Sequence, residues 1–258
     1  VMATDPDTDR VGIGIKNQHG EFFLLNGNQA LSMMMWFILK NLKEKKDRYI
    51  AKTIVTTELI DAMAEKFGVE CYNTLTGFKY IAEVIRELEN KKIFVAAGEE
   101  SYGYMVGDFV RDKDAVSACA FFAAMAATAK DEEKSLYDYL LHVYTEFGFY
   151  KEGLTNVVKK GAEGEQQIKA MMEKFRNNPP ESIASQKVIR TIDYKLDVEK
   201  DLLTGKTKST GQPVSDVLQF YTQDGSKISV RPSGTEPKIK FYISVKSQLS
   251  SAKDFQTV

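Results

Sequence analysis

The sequence predicts an α/β protein: a mixed or parallel α/β domain followed by a smaller α+β domain with an antiparallel sheet. Between residues 50 and 97, short β-branched runs alternate with runs of helical period, which is typical of parallel strands joined by helices. After residue 148 the apolar runs are separated by tight turns such as Asp224-Gly225, which favours hairpins. The chain has 258 residues, enough for one large or two ordinary domains.

Hydrophobic periodicity and turn residues place the elements in order along the chain. The predicted strands are 11–15, 22–25, 50–56, 69–73, 93–97, 149–158, 188–193, 217–222, 227–231 and 238–245. The predicted helices are 30–43, 59–67, 78–89, 115–129, 136–147 and 164–176. Gly68 closes the second helix, Asp114 caps the fourth, and the run Asn177-Asn178-Pro179-Pro180 stops the last one.

Composition narrows the class of function. Lys and Arg number 35 and Asp and Glu 36, so the net charge of −1 provides no general attraction to nucleic acid or to anionic membranes. No apolar run reaches the ~18 residues of a membrane span. Two cysteines suit a reducing, cytoplasmic environment. Because the chain runs almost at once into a loop rich in functional groups, we expect it to be the C-terminal part of a longer protein.

The first such loop carries carboxylates at alternate positions, Asp5, Asp7 and Asp9. In a tight turn stiffened by Pro6, the three carboxylates can face one point, and such oxygen donors suit Mg²⁺. Arg10 follows, with a planar donor fork suited to phosphate. A solvated Asp-rich turn is the alternative interpretation, whereas the positions of Gly and Glu required by an EF-hand are not met.

The second loop, residues 98–104, directly follows the predicted strand 93–97. Open α/β sheets bind ligands at the carboxyl ends of their strands, and Glu99 and Ser101 are suited to hydrogen bonds with sugar hydroxyls. An ordinary polar loop is the alternative. The mixed-charge run 111–114 that follows can equally be a solvated cluster of ion pairs.

The third loop, residues 231–238, lies between two predicted strands of the C-terminal domain. It combines Arg231, the hydroxyls of Ser233 and Thr235, and Gly234, which lets backbone N–H groups approach a ligand. This combination predicts a phosphate cradle, and a plain surface turn is the alternative.

These three loops, in this order, resemble the α-D-phosphohexomutases. The segments that carry the resemblance are DPDTDR at 5–10, GEESYG at 98–103 and RPSGT at 231–235. The run YGYMVGDFVRDKD at 102–114 is especially similar to the bacterial phosphoglucomutase/phosphomannomutase branch and its phosphopentomutase relatives. The resemblance covers nearly the whole chain.

The resemblance implies roles around the reacting phosphate. Asp5, Asp7 and Asp9 match the Mg²⁺ ligands, and Arg10 matches the basic residue beside the metal. Lys113 matches a lysine proposed as an acid/base near that phosphate.

The resemblance also implies how the sugar is bound. Glu99 and Ser101 match the loop that grips the 3- and 4-hydroxyls, and Lys79 lies in a loop that helps distinguish the two substrate orientations. By itself, Lys79 also fits a solvated side chain at a plain helix start. The residues that match the loop holding the non-reacting phosphate are Arg231, Ser233, Gly234 and Thr235.

Family members have four domains, so residues 1–26 would be the tail of the second, 27–148 the third and 149–258 the fourth. The family's catalytic serine, in a Thr-Ala-Ser-His-Asn-type loop of the first domain, has no counterpart among the serines of this sequence. The resemblance therefore implies part of a mutase that interconverts hexose 1- and 6-phosphates through a phosphoserine and glucose 1,6-bisphosphate. This chain alone should be inactive and would act with the missing N-terminal domains.

Three alternatives stay open at this point. Glucose, mannose and pentose phosphates are not separable as substrates, so a phosphopentomutase fits as well. A non-catalytic phosphosugar-binding module fits the same loops. An aspartyl-phosphate phosphatase using Asp5 fits least, because Arg10 departs from its pattern and a strand, not a helix, is predicted next.

Overall fold

The chain folds into two compact units, which we describe separately. Unit 1 comprises residues 1–149 and the described residues from 248 onward, and unit 2 comprises residues 150–247. The computed structural model describes residues 1–159, 161–234, 236–249 and 251–256. The predicted α/β class, with a mixed sheet followed by an antiparallel one, is confirmed. The domain boundaries at residues 26 and 148 stay a prediction.

Unit 1 contains two sheets and five α-helices in the described residues. Its strands are β1 (Met2–Thr4), β2 (Val11–Lys16), β3 (Phe22–Leu25), β4 (Arg48–Thr53), β5 (Glu70–Thr74), β6 (Ile93–Glu99) and β7 (Gly103–Val106). Its helices are α1 (Gly27–Asn41), α2 (Leu59–Phe67), α3 (Phe78–Leu88), α4 (Ala115–Asp131) and α5 (Leu136–Phe147), with a 3₁₀ turn at Ala252–Gln256.

The sheets of unit 1 set the positions of its loops. One sheet is antiparallel in the order β1-β2-β3, and the other has the order β5-β4-β6-β7. Strand β4 is parallel to β5 and β6, whereas β7 is antiparallel to β6. The sequence analysis did not predict β1 and β7. These strands are too short to show an alternation of apolar and polar residues, and they form by pairing with β2 and β6.

Capping residues fix where the helices of unit 1 begin. Helix α1 starts at Gly27, three residues before the predicted start, because Asn26 and Gln29 form a reciprocal capping box. Asp114 Oδ1 accepts the N–H groups of Val116 and Ser117, which confirms it as the cap of α4.

Helix α3 covers one face of the β5-β4-β6-β7 sheet with the apolar side predicted from its period. The buried residues of this cluster are Tyr49, Ala51, Phe78, Ile81, Ile85, Phe94, Ala97 and Met105. Helix α1 contacts α2, α5 and β6 and is buried over most of its length. The sheet is therefore packed against helices close to the edge where its loops emerge.

Unit 2 is an antiparallel sheet with one α-helix in the described residues. Its elements are β8 (Phe149–Val158, whose first residue clusters with unit 1), α6 (Gly161–Asn177), β9 (Ser182–Ile183), β10 (Gln186–Asp193), β11 (Val198–Asp201), β12 (Thr207–Lys208), β13 (Leu218–Thr222), β14 (Lys227–Pro232) and β15 (Lys238–Ser247). The strand order is β12-β11-β10-β13-β14-β15-β8, and β9 pairs with β10.

Helix α6 packs on one face of this sheet. Ile168 and Met172 of the helix meet Phe220, Val230 and Ile239 of the central strands in one buried cluster. This packing leaves the turn between β14 and β15 at the end of the sheet, away from the buried cluster.

Candidate functional site

The Asp-rich loop of unit 1 is the turn of the hairpin formed by β1 and β2, in which Thr4 pairs with Val11. The backbone N–H of Arg10 donates to Asp5 Oδ1 at 3.2 Å, and Thr8 adopts a left-handed φ of 57°. The loop is thus held in one bent conformation by its own backbone. It continues into β2, so the helix that an aspartyl phosphatase would need does not follow.

Two of the three predicted metal ligands, Asp5 and Asp9, lie together in this turn. The pKa of Asp5 is lowered from its ordinary value: desolvation raises it, but hydrogen bonds from the backbone of Arg10 and from Asp9 outweigh that effect. Two carboxyl groups held this closely offer the oxygen ligands that suit a divalent cation. In residues 1–159 and the other described ranges, no group of three or more acidic, His or Cys side chains is already gathered around one point.

Lys113 joins this loop to the rest of the site. Its Nζ lies 3.2 Å from Asp9 Oδ2 and 2.9 Å from Asp112 Oδ1. The pKa of Lys113 is raised: burial lowers it, but the bonds to Asp112 and Asp9 have the larger effect. The side chain is therefore a protonated cation at neutral pH, placed against the metal loop.

The sugar-loop residues lie beside the same lysine. Glu99 is the last residue of β6 and is 8% exposed, and Ser101 Oγ donates to its Oε1 at 2.7 Å. The turn between β6 and β7 needs a left-handed residue, which is Tyr102 with φ 69°. Gly103 pairs with Glu99, and a Cβ at Gly103 would lie 2.3 Å from Cδ of Lys113. The stem of Lys113 therefore crosses the hairpin where only glycine leaves room.

Backbone hydrogen bonds tie these three segments together. Val11 N–H donates to Tyr102 O at 3.2 Å, and Ala115 N–H donates to Thr8 O at 3.2 Å. Arg10 also forms an isolated bridge with Gly103. The Asp-rich loop, the loop at 98–104 and the run at 111–114 are thus brought together at one edge of unit 1.

Of the cationic residues predicted in unit 1, Lys79 is not brought to this cluster in the described structure. Its side chain is exposed, and its Nζ lies 4.6 Å from the ring centroid of the neighbouring Tyr80. From the same loop, Phe78 reaches the site instead, with Lys113 Nζ 5.0 Å from its ring centroid. Sequence reasoning missed Phe78 and Gly103, since neither carries a functional group that would mark it.

The loop predicted to bind phosphate is the turn between β14 and β15 in unit 2. Arg231 lies on β14, directly opposite Lys240 of β15. Ser233 N–H donates to Lys238 O at 2.8 Å, and nothing lies within 4 Å of a Cβ built on Gly234. Thr235 lies outside the described residues.

Lys240 is a cation of this turn that sequence reasoning missed. Arg231 and Lys240 are directly opposite each other in the hairpin, so their side chains share one face. The predicted strands 227–231 and 238–245 would have paired Arg231 with Lys238, whereas the observed register pairs it with Lys240 because β14 continues to Pro232. Two cations on one face and an open glycine can hold an anion such as phosphate.

None of the helices in the described part of the chain combines the length and hydropathy needed to span a bilayer.

Two family models match the chain. Residues 26–147 match the phosphoglucomutase/phosphomannomutase alpha/beta/alpha domain III, and residues 158–256 match the C-terminal domain of the same family.

Curated relatives match over nearly the whole chain. The phosphoglucomutases of Staphylococcus aureus and Staphylococcus haemolyticus are 37% and 36% identical to it over 246 and 245 residues. Each alignment covers 95% of this chain and 44% of the relative. The chain therefore spans less than half the length of these relatives.

Solved structures share the fold. Parafusin (phosphoglucomutase) from Paramecium, in its open form, aligns with a TM-score of 0.70 at 18% identity, covering 99% of this chain and 43% of that chain. N-acetylphosphoglucosamine mutase of Aspergillus fumigatus, in complex with GlcNAc-6P and magnesium, aligns with a TM-score of 0.52 at 12% identity, covering 99% of this chain and 50% of that chain. At such identities the likeness shows the fold alone.

Proposed function

The chain belongs to the phosphoglucomutase/phosphomannomutase family, and from this premise we propose that it is part of a phosphosugar mutase. The whole protein would interconvert hexose 1-phosphate and hexose 6-phosphate, with glucose as the first candidate and mannose as the second. The reaction would pass through a phosphoserine and a 1,6-bisphosphate. We assign the serine to a part of the protein outside this chain, since its curated relatives are more than twice as long.

The observation that supports this proposal most is that side chains suited to a metal, a sugar and a phosphate lie together in unit 1. Asp9 belongs to the metal loop and Glu99 to the sugar loop. The ammonium of Lys113 contacts Asp9 and interacts electrostatically with Glu99. A mutase needs a metal, a sugar and a transferring phosphoryl group within one site, and these residues suit each of them.

The carboxylates of Asp5, Asp7 and Asp9 are the residues that would hold Mg²⁺. The closeness of Asp5 and Asp9 in one turn fits this role, because a hard cation is held by several carboxylate oxygens at once. When bound, Mg²⁺ supplies electrostatic stabilisation of the phosphoryl group in transit. Arg10 places a second positive charge beside that group.

The remaining residues of unit 1 orient the sugar. Glu99 accepts hydrogen bonds from sugar hydroxyls, and Ser101 can both donate and accept. Lys113 donates to the oxygen at which the phosphoryl group arrives or leaves, and Phe78 shields one side of its ammonium from water. Lys79, exposed at the start of α3, would help distinguish the two orientations of the sugar.

Unit 2 would hold the phosphate that does not react. Arg231, Ser233 and Gly234 would form the cradle, and Lys240 adds a second cation on the same face. From the sequence we assign Thr235 to the same cradle. Since the intermediate carries a phosphate at each end, this cradle must accept either end in turn. We further propose the domain boundaries 1–26, 27–148 and 149–258 and a cytoplasmic location, which suits the two free cysteines.

A calorimetric titration of the chain with glucose 1,6-bisphosphate, with and without Mg²⁺, tests the proposal. We expect saturable binding that Mg²⁺ strengthens, and we expect Asp7→Asn to remove the effect of Mg²⁺ while metal-free binding is retained. Lys187→Ala, an exposed cation at the opposite end of β10 from the cradle, is the control and should change nothing. Binding that does not depend on Mg²⁺ would overturn the metal assignment, and no binding would overturn the proposal for this chain.

A non-catalytic phosphosugar-binding module is the second candidate, because each described residue of the site binds or orients and none is an evident nucleophile. The natural full-length protein decides between the two. After incubation with glucose 1,6-bisphosphate, a mutase should gain the mass of one phosphoryl group, whereas a binding module should keep its mass. The same assay with pentose phosphates tests the phosphopentomutase alternative.

A further inference from the structure

One partly buried carboxylate beside the site has no role in the mechanism above. Glu100 lies between Glu99 and Ser101, yet its side chain turns the other way, into the sheet. Its Oε2 accepts from Thr53 Oγ1 and from Thr56 Oγ1, each at 3.3 Å. The carboxylate itself is partly buried, and its Oε2 contacts two threonines that are fully buried.

The position of Glu100 in the sheet is special. Strands β4 and β6 are parallel neighbours, but the chain leaves β4 toward β5 on one side and leaves β6 toward β7 on the other. Connections that diverge in this way open a crevice between the carboxyl ends of two strands. Thr53 ends β4 and Glu100 follows β6, so their contact bridges the crevice.

The backbone of Glu100 is held from a second direction. A Cβ built on Gly27, the first residue of α1, would lie 1.8 Å from the carbonyl oxygen of Glu100 and 3.0 Å from the nitrogen of Tyr102. Helix α1 therefore packs directly on the turn that contains Glu100, at a position where only glycine fits. The turn is fixed by a side-chain contact on one side and by backbone packing on the other.

We propose that Glu100 is a positioning residue, which anchors the turn through Thr53 and Thr56 so that Glu99 and Ser101 present their oxygens to the sugar. This inference rests on the proposed function of Glu99 and Ser101. A turn that is fixed beforehand loses little entropy on binding, whereas a loose turn must be ordered by the ligand. The role concerns the sugar hydroxyls, and the phosphate cradle of unit 2 does not depend on it.

The test compares two ligands, glucose 1,6-bisphosphate and inorganic phosphate, in calorimetric titrations of the chain. For Glu100→Ala we expect binding of the sugar bisphosphate to weaken by about tenfold, the cost of ordering two side chains, while binding of inorganic phosphate is unchanged. Glu100→Gln keeps the shape and an acceptor oxygen, so it should restore most of the affinity. Glu83→Ala, an exposed glutamate on α3, is the matched control.

Thr53→Val removes one hydroxyl at constant shape and gives a second variant in case Glu100→Ala does not fold. It should also lower affinity for the sugar bisphosphate and leave inorganic phosphate binding unchanged. If wild type binds the sugar bisphosphate and the folded variants of Glu100 or Thr53 bind it equally well, the positioning role is wrong. If wild type itself does not bind, the proposed function fails instead, so the two failures are distinct.

Discussion

The two candidate sites of this chain are built in opposite ways. The site of unit 1 is assembled from segments far apart in sequence: the Asp5–Arg10 turn, the β6–β7 turn and Lys113. The cradle of unit 2 is one continuous turn between two neighbouring strands. An assembled site depends on everything that holds its segments in place, whereas a continuous turn depends mainly on its own residues. The difference indicates which substitutions should disturb each site.

The largest effect is expected at a charge buried in the sheet of unit 1. Lys52 precedes Thr53 on β4, is fully buried, and lies 2.9 Å from Asp61 and 3.4 Å from Glu58. Burial lowers its pKa, but these carboxylates have the larger effect and the pKa is raised. Lys52→Met should destabilise unit 1 by about 3–5 kcal/mol, because the two carboxylates lose their buried partner.

Trp36 provides the measurement for this variant. It is the single tryptophan of the sequence and is buried in α1, so its fluorescence during urea unfolding reports on unit 1. In unit 2, Arg190 pairs with Glu199 at 3.3 Å while 38% exposed, and Arg190→Met should cost less than about 1 kcal/mol. Because Trp36 reports on unit 1, circular dichroism during urea unfolding measures this variant. An unshifted Trp36 transition in Lys52→Met would contradict the dependence of unit 1 on this buried charge.

The next effect tests the independence of the cradle. Arg231→Ala should weaken binding of glucose 1,6-bisphosphate by about 2–3 kcal/mol, the cost of a lost charge-assisted contact to phosphate. The Trp36 unfolding transition should not move. Calorimetry measures the first quantity and fluorescence the second, with Lys187→Ala as the control. Unchanged affinity would show that the turn is not a phosphate cradle.

A pair of glycines compares the two sites most directly. Gly103→Ala places a Cβ 2.3 Å from Cδ and 2.7 Å from Cγ of Lys113, so the lysine or the hairpin must shift. We expect unit 1 to lose about 1–3 kcal/mol, as in other overpacked sites. Gly234→Ala meets nothing within 4 Å and should change stability by less than about 0.5 kcal/mol. Equal losses in urea unfolding would remove the distinction between the two sites.

The smallest effect concerns pH. Burial and the neighbouring Glu99 raise the pKa of Glu100 above its ordinary 4.5, although hydrogen bonds from Thr53 and Thr56 oppose them. A carboxyl with a raised native pKa stabilises the fold fully below its unfolded pKa and loses that contribution as pH rises through the native pKa. Glu100→Gln stays neutral, so its melting temperature minus that of wild type should increase from pH 4.5 to pH 8. A melting-temperature difference that does not change with pH would contradict the raised pKa of Glu100.

Several features of the fold could be predicted because their signals are local. The helix faces, the Gly68 cap of α2, the Asp114 cap of α4 and the Asp224-Gly225 turn each depend on residues within a few positions of one another. The missed strands β1, β7, β9, β11 and β12 are two to four residues long, so their conformation comes from the strands they pair with. The residues of such a strand do not indicate which distant strand it will pair with.

The sequence by itself determined which chemical groups each loop offers: carboxylates at Asp5, Asp7 and Asp9, a carboxylate and a hydroxyl at Glu99 and Ser101, and a guanidinium at Arg231. Only the tertiary structure decided which of them meet. Lys113 reaches Asp9 because β7 pairs with β6 and brings the following segment back across the hairpin, whereas Lys79 stays exposed. The physical reason is that donor chemistry belongs to a side chain, but proximity belongs to strand pairing and close packing over the whole unit.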